Sequence, residues 1–343
     1  MISTKINNRN SIDILDAYQI TNSTWIDVRC PREFSKGHFT TALNIPLFND
    51  DEYQEIGETY KQMGQETATE MGLKYASKSS AIIIKQISSL NLENMIIYCA
   101  RGGMRSKGFQ LLLDNAGYSS SRVNKGYKAI RLHTLSSFNV KREILIVAGS
   151  TGTGKTELLQ QMKKDGHNVI DLENLANHRG SAFGDLGLPD QSTQQQFEND
   201  LSYDWLHTDK NKRVFIESES RRIGRVVIPD DMWKQMLNGI YLKIDMDIER
   251  RIKNLIKDYG HYSKNDLGAR IHRISKKLGG QNTKMALNFL EKNDLGKLCE
   301  LLLGSYYDKM YNMAYENRES KKTIIPVTNE SNEQIIKNIL NRI

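Results

Sequence analysis

Short apolar runs recur along the chain, separated by longer polar stretches whose apolar residues fall at helical spacing. STWIDV (residues 23–28) and NMIIYCA (94–100) read as short buried strands, because few polar positions interrupt them. GFQLLLDNAGY predicts a helix that ends at Gly117. The polar segment 49–80 predicts chain that is helical in parts. A second alternation begins near Val140. Here REILIVAG, HNVIDLE (167–173), RVFIESES (213–220), NGIYLKID (238–245) and KTIIPV (322–327) predict strands with helices between them. From about 246 to 317 the pattern is mostly helical and polar. The alternation predicts an α/β chain of two domains. The first spans 1–139. The second spans 140–343, contains the helical segment 246–317, and has a parallel sheet. No Pro/Gly/Ser-rich linker marks their boundary near 138–142.

Composition narrows this picture. At 343 residues and 38% hydrophobic content, each domain has enough apolar surface for a core. No run approaches a membrane span, and MISTKINNRN lacks the apolar stretch of a secretory leader. Three scattered cysteines, Cys30, Cys99 and Cys299, exclude a disulfide framework and a zinc site. A cytoplasmic setting is expected. The formal net charge of +7 favours an anionic partner. Within 250–284, ten Lys/Arg stand against two Asp/Glu.

GSTGTGKT (149–156) fits G-x-x-x-x-G-K-[ST] at every fixed position, after a predicted strand and before a predicted helix. Gly149, Gly152 and Gly154 allow the backbone to curl its N–H groups around one anion. The helix adds its positive end. Lys155 reaches outer phosphates, and the Thr156 hydroxyl suits Mg²⁺. The motif predicts a polyphosphate site and leaves open whether ATP or GTP is bound or hydrolysed. Asp171 and Glu173 sit at the end of the second predicted strand of this domain, and Glu217 and Glu219 at the end of the third, where a metal-orienting acid is often found. Each serves equally well as a helix cap or ion-pair partner.

YCARGGMRSKG places Cys99 at a strand end, followed by Arg101, Gly102, Gly103 and Arg105. This C-x5-R loop can form a nest of N–H groups, and its cations would favour a thiolate. Such a sulfur can accept sulfur or selenium, or attack phosphorus. Tyr98 stands where cysteine phosphatases usually have His. WIDVRCPREFSKGHFTTALNIPL and GYSSSRVNKGYKAI resemble the rhodanese signature, through Asp27, Val28, Arg29, Glu33, Phe34, Gly37, His38, Ala42, Asn44, Ile45 and Pro46. Thr40-Thr41 replace the usual Pro-Gly, and Cys30 follows Arg29 as a conceivable resolving thiol.

A rhodanese-like domain joined to a P-loop domain resembles the tRNA 2-selenouridine synthase family. CARGGMRS, GSTGTGKT, DLENLANHRGSAFG and ESESRRIGRVVIP carry the likeness, which weakens beyond Pro229. The resemblance implies conversion of wobble 2-thiouridine to 2-selenouridine through S-geranyl-2-thiouridine. Geranyl diphosphate and selenophosphate would be co-substrates, with no tightly bound cofactor and Mg²⁺ optional. It also implies that Cys99 is catalytic and that its loop receives selenophosphate. Lys155 and its loop would cradle diphosphate, with His178, Arg179, Ser181, Arg221 and Arg222 around the diphosphate or tRNA. In the basic helices, Arg270, Arg273, Lys276 and Lys277 suit tRNA phosphates. Tyr259, His261 and Tyr262 suit stacking on an anticodon base. Two other readings stay open: an ATP-dependent tRNA sulfurtransferase, and a non-enzymatic nucleotide- or RNA-binding regulator.

Overall fold

A computed structural model describes residues 11–316 and 320–342. The N-terminal stretch read for a leader and the end of the helical segment at Asn317 lie outside the described residues. The chain forms two compact units.

The first unit holds a parallel sheet of β1 (Thr24–Asp27), β2 (Leu43–Asn44), β3 (Met95–Tyr98) and β4 (Ser120–Arg122), in the order β2-β1-β3-β4. The sequence MIIY is apolar throughout because β3 is buried on both faces. Its period of two sorts the side chains. Met95 and Ile97 pack with Ile26, Val28 and Phe109, while Ile96 and Tyr98 pack with Trp25 and Phe39. The segment expected to be partly helical forms two helices, Asp50–Met63 and Gln65–Leu90, the first opened by a capping box of Asn49 and Glu52. The second extends well past residue 80. Its β-branched run AIII suits a strand by composition, yet Ile83 and Ile87 stand one helical turn apart and bury together.

Gln195–Tyr203 also belongs to this unit, although the predicted boundary near 138–142 put it in the second domain. Buried polar bonds hold it. Asn199 Nδ2 donates to His38 O at 2.7 Å and to the Tyr127 hydroxyl at 3.0 Å. The Ser202 and Ser137 hydroxyls lie 2.8 Å apart. Hydrophobic periodicity carries no trace of such contacts.

The second unit is built on a parallel sheet of β5 (Ile144–Gly149), β6 (Asn168–Ile170), β7 (Val214–Glu217), β10 (Ile240–Met246) and β11 (Lys322–Val327), ordered β11-β10-β5-β7-β6. A small hairpin joins β8 (Arg222–Ile223) to β9 (Val226–Val227). All five strands of this sheet fall within segments the sequence predicts as strands. β5 is buried along its whole length because it lies between β10 and β7. The chain runs from β5 toward β7 and β6 on one side and toward β10 and β11 on the other. The loop after β5 therefore opens at a topological switch, where α/β sheets leave a crevice. The basic segment forms helices Ile248–Tyr259, Lys264–Leu278, Gly280–Glu291, Leu295–Leu302 and Asp308–Glu316, with a π-helical turn at Leu303–Tyr307. Leu267, Ile271, Ile274 and Leu278 recur at helical spacing and form its core with Phe183 and Leu186. Among the described residues, no helix is long and apolar enough to cross a membrane.

Candidate active sites

Strand β3 delivers Cys99 into a turn that ends at the helix Met104–Asn115. Cys99 is 3% exposed, and its Sγ lies 3.2 Å from Ser106 Oγ in the first helical turn. The loop is pinned through its carbonyls. Tyr127 N–H donates to Cys99 O at 2.8 Å, Lys128 N–H to Ala100 O at 3.1 Å, and Arg122 Nη1 to Gly102 O at 3.1 Å. In a planar trans peptide the N–H points opposite its C=O. The N–H groups of Ala100, Arg101 and Gly103 are thus turned away from residues 122–128, as an anion nest requires. Close backing leaves no slack: a side chain at Gly126, where φ is +54°, would begin 2.1 Å from Cys99 O.

Arg105 is held rather than free. Its guanidinium pairs with Glu33 at 2.5 Å and lies over the Tyr53 ring at 4.6 Å. Burial alone would lower its pKa, but Glu33 outweighs that and keeps it above the usual value. Arg101 is exposed. Cys30 caps the helix Pro31–Lys36, with Sγ 3.4 Å from Glu33 Oε2, and burial pushes its thiol up to about 11. That is the place of a helix cap, and it does not favour the thiolate a resolving cysteine needs.

In the second unit, β5 runs through the glycine loop into the helix Lys155–Lys164. Lys155 Nζ donates to Gly149 O at 2.9 Å, and Thr156 Oγ1 to Glu173 Oε2 at 3.2 Å. This loop too is fastened through its carbonyls, but by side chains. Arg251 Nε donates to Thr151 O at 2.9 Å, and Asn254 Nδ2 to Gly152 O at 2.8 Å. Arg251 is itself fixed by Asp308 at 2.5 Å. A cleft of about 680 Å³ opens over the loop. Glu173, Glu219, Arg179, Ser181 and Arg221 line its polar side. Trp233, Leu237, Met310 and Tyr311 also line it.

Carboxylate oxygens of Glu173, Glu217 and Glu219 lie within 4.8 Å of one another. Glu217 is fully buried. Its Oε1 accepts from Glu173 N at 2.5 Å, while Oε2 has no partner among the described residues. Burial first, and mutual repulsion second, push Glu217 well above the usual carboxylate range and Glu219 to about 8. Hard oxygen donors in this state suit a divalent cation such as Mg²⁺, which would relieve the repulsion. The HRGS turn abuts this cluster. Gly180 has φ +62°, and a side chain there would begin 2.2 Å from Glu219 Oε2.

Comparison with known proteins agrees with the two-domain reading. The sequence profile of the tRNA 2-selenouridine synthase AAA domain matches residues 142–342, and that of the rhodanese-like domain matches 11–133. A tRNA 2-selenouridine synthase of Nitrosomonas europaea is 37% identical over 72% of this chain and 66% of its own length. One of Shewanella denitrificans is 35% identical over 82% and 77%, and one of Shewanella frigidimarina 32% over 88% and 91%. The chain belongs to the tRNA 2-selenouridine synthase family. It is an enzyme, with an N-terminal rhodanese domain and a C-terminal P-loop domain.

Within this family member, the residues singled out from sequence fall into three groups. Glu173, Glu219, Arg179, Ser181 and Arg221 meet the P-loop in one cleft, although Arg221 also pairs with Asp230. Asp171, His178 and Arg222 are not among the residues lining it. Asp171 caps the helix Leu172–Ala176 by accepting from Asn174 N at 2.9 Å. His178 is part-buried with Nδ1 unpartnered among the described residues, and Arg222 sits on the hairpin. In the basic helices, Arg270 and Arg273 both bind Asp185, at 3.1 and 2.8 Å, whereas Lys276 and Lys277 are exposed. Tyr259 lies under Arg179, and the Tyr262 hydroxyl donates to Leu186 O at 3.1 Å. Both rings brace the 179–188 loop, leaving His261 exposed. Sequence reasoning passed over Ser106, Arg251 and Asn254. Ser106 lay inside the CARGGMRS motif, one residue past Arg105, but the two others carry no local signal.

Proposed function

We propose that this enzyme converts wobble 2-thiouridine of tRNA to 2-selenouridine in two steps, one at each cradle. In the first, the thiouridine sulfur attacks C1 of geranyl diphosphate. The C–O bond breaks, a C–S bond forms, diphosphate leaves, and the base gives up its N3 proton. Lys155, the loop N–H groups and the helix end stabilise the charge that develops on the departing diphosphate. Glu173, Glu217 and Glu219, with the Thr156 hydroxyl, would hold Mg²⁺, which supplies further charge neutralisation when bound. In the second step Cys99 sulfur takes phosphorus from selenophosphate. The P–Se bond breaks, and water later releases phosphate from the sulfur. Hydroselenide enters at C2 of the base and geranyl thiolate leaves. Exposed Lys276 and Lys277 meet tRNA phosphates near the anticodon, in the cytoplasm.

The observation that carries this reading is the pair of anion cradles, of which one has a thiol and the other has a lysine, a hydroxyl and an apolar wall. The test is nucleoside mass spectrometry of tRNA from a strain lacking the protein, before and after its return. 2-Selenouridine should vanish and be restored. Purified protein with geranyl diphosphate alone should yield S-geranyl-2-thiouridine. If no such product forms and ATP is instead consumed in step with sulfur transfer to tRNA, the sulfurtransferase reading takes its place.

A further inference from the structure

An apolar pocket of about 70 Å³ adjoins the phosphate cleft. Phe183, Leu255, Leu298, Cys299, Leu302 and Leu303 surround it. Thr151, Ser181, Tyr259 and Tyr307 border both the cavity and the cleft. Thr151 belongs to the phosphate loop itself, so a ligand anchored at Lys155 has the cavity beside its head group. A nucleobase there would leave ring nitrogens and exocyclic groups facing leucine and phenylalanine, at a cost of several hydrogen bonds. A hydrocarbon chain has no such groups. At roughly 10–15 Å³ per water-sized sphere, the space takes about five. That suits the branched end of a short chain.

Two features of the fold serve this cavity in particular. The HRGSAFG loop presents Arg179 and Ser181 to the cleft and Phe183 to the cavity. The π-helical turn supplies Leu303 to the cavity and Tyr307 to both. Such turns are rare and concentrate at functional sites, because the extra residue re-aims side chains out of helical register.

We infer that this cavity is the subsite for the hydrocarbon tail of the diphosphate substrate, and that Leu298, Cys299 and Leu302 set which chain it accepts. The inference rests on the proposed use of a prenyl diphosphate and adds where the chain lies. It is tested by calorimetric binding of inorganic diphosphate and geranyl diphosphate to the full chain. Geranyl diphosphate should bind about tenfold tighter, as expected for burying roughly two methylene equivalents. Cys299→Phe, which fills the cavity, should cut that advantage below about threefold and leave inorganic diphosphate unchanged. Cys299→Ser should preserve it. Should Cys299→Phe not fold, the unmodified chain decides. Geranyl diphosphate, but not inorganic diphosphate, should slow alkylation of Cys299 by about fivefold or more, read by peptide mass spectrometry. Equal affinity for the two ligands, or equal alkylation rates, would overturn the assignment. If the affinity advantage is found but tRNA is not geranylated, the subsite stands and the proposed reaction fails.

Discussion

The Cys99 loop and the phosphate loop use one device and lock it in opposite ways. Each follows a buried central strand, turns through glycines, and ends at a helix N-terminus. In each, the carbonyls are pinned from behind so that N–H groups face the anion side. The thiol loop is pinned largely by backbone, from residues 127 and 128, with Arg122 reaching Gly102 O. The phosphate loop is pinned by the side chains Arg251 and Asn254. Backbone pinning is stiff and short-ranged, and it holds the Cys99 turn in one position. Side-chain pinning from a separate helix leaves room for a wide cleft. The charges differ as well. The thiol loop has Arg105 held by one carboxylate, whereas the phosphate loop faces three crowded ones.

The largest effects should come from removing the chemistry of each cradle. Cys99→Ser replaces a good nucleophile with a poor one of similar size. It should reduce 2-selenouridine to background and let S-geranyl-2-thiouridine accumulate. Lys155→Ala should slow the first step by about a hundredfold, near 3 kcal/mol, by analogy with losing one oxyanion donor. Its tRNA should retain 2-thiouridine. Nucleoside mass spectrometry reads both. Unmodified 2-thiouridine in folded Cys99→Ser would break the division of labour.

Next come the two glycines that meet their neighbours most closely. At Gly126 a side chain would strike the Cys99 carbonyl, which cannot yield without moving the strand end. Gly126→Ala should cost about 3 kcal/mol or more by chemical denaturation. At Gly180 the neighbour is the Glu219 side chain, which can swing away. Gly180→Ala should cost about 1–2 kcal/mol, chiefly from its left-handed backbone. A reversed order would mean that the phosphate cradle is the stiffer of the two.

The smallest effect concerns the three glutamates. With 10 mM Mg²⁺ and a Kd near 1 mM, linkage gives about 1.4 kcal/mol, a melting shift of roughly 3–5 °C for this domain. Glu217→Gln should abolish the shift. It should also raise the melting temperature without Mg²⁺, since it removes a buried, crowded carboxylate. Cys99→Ser should leave the Mg²⁺ shift intact. Calorimetric melting with and without EDTA checks all three outcomes.

The sequence by itself determined the two glycine loops and the strands that carry them. Motif residues are contiguous, and strands buried against their neighbours need apolar residues, so Cys99, Lys155 and the five sheet strands of the second unit were legible. Glu217 and Glu219 could be named as acids after a strand, but not distinguished from Asp171, which proved to be a cap. Only tertiary structure decided what lies more than one element away. It tied Arg270 and Arg273 to Asp185, brought Arg251 and Asn254 about a hundred residues along the chain to the phosphate loop, and placed Gln195–Tyr203 in the first unit. The physical reason is common to all three. A charged or polar residue on a helix reads as solvated surface until its partner is known. Its partner is set by how helices pack, and packing leaves a periodic signal only in the apolar residues that drive it.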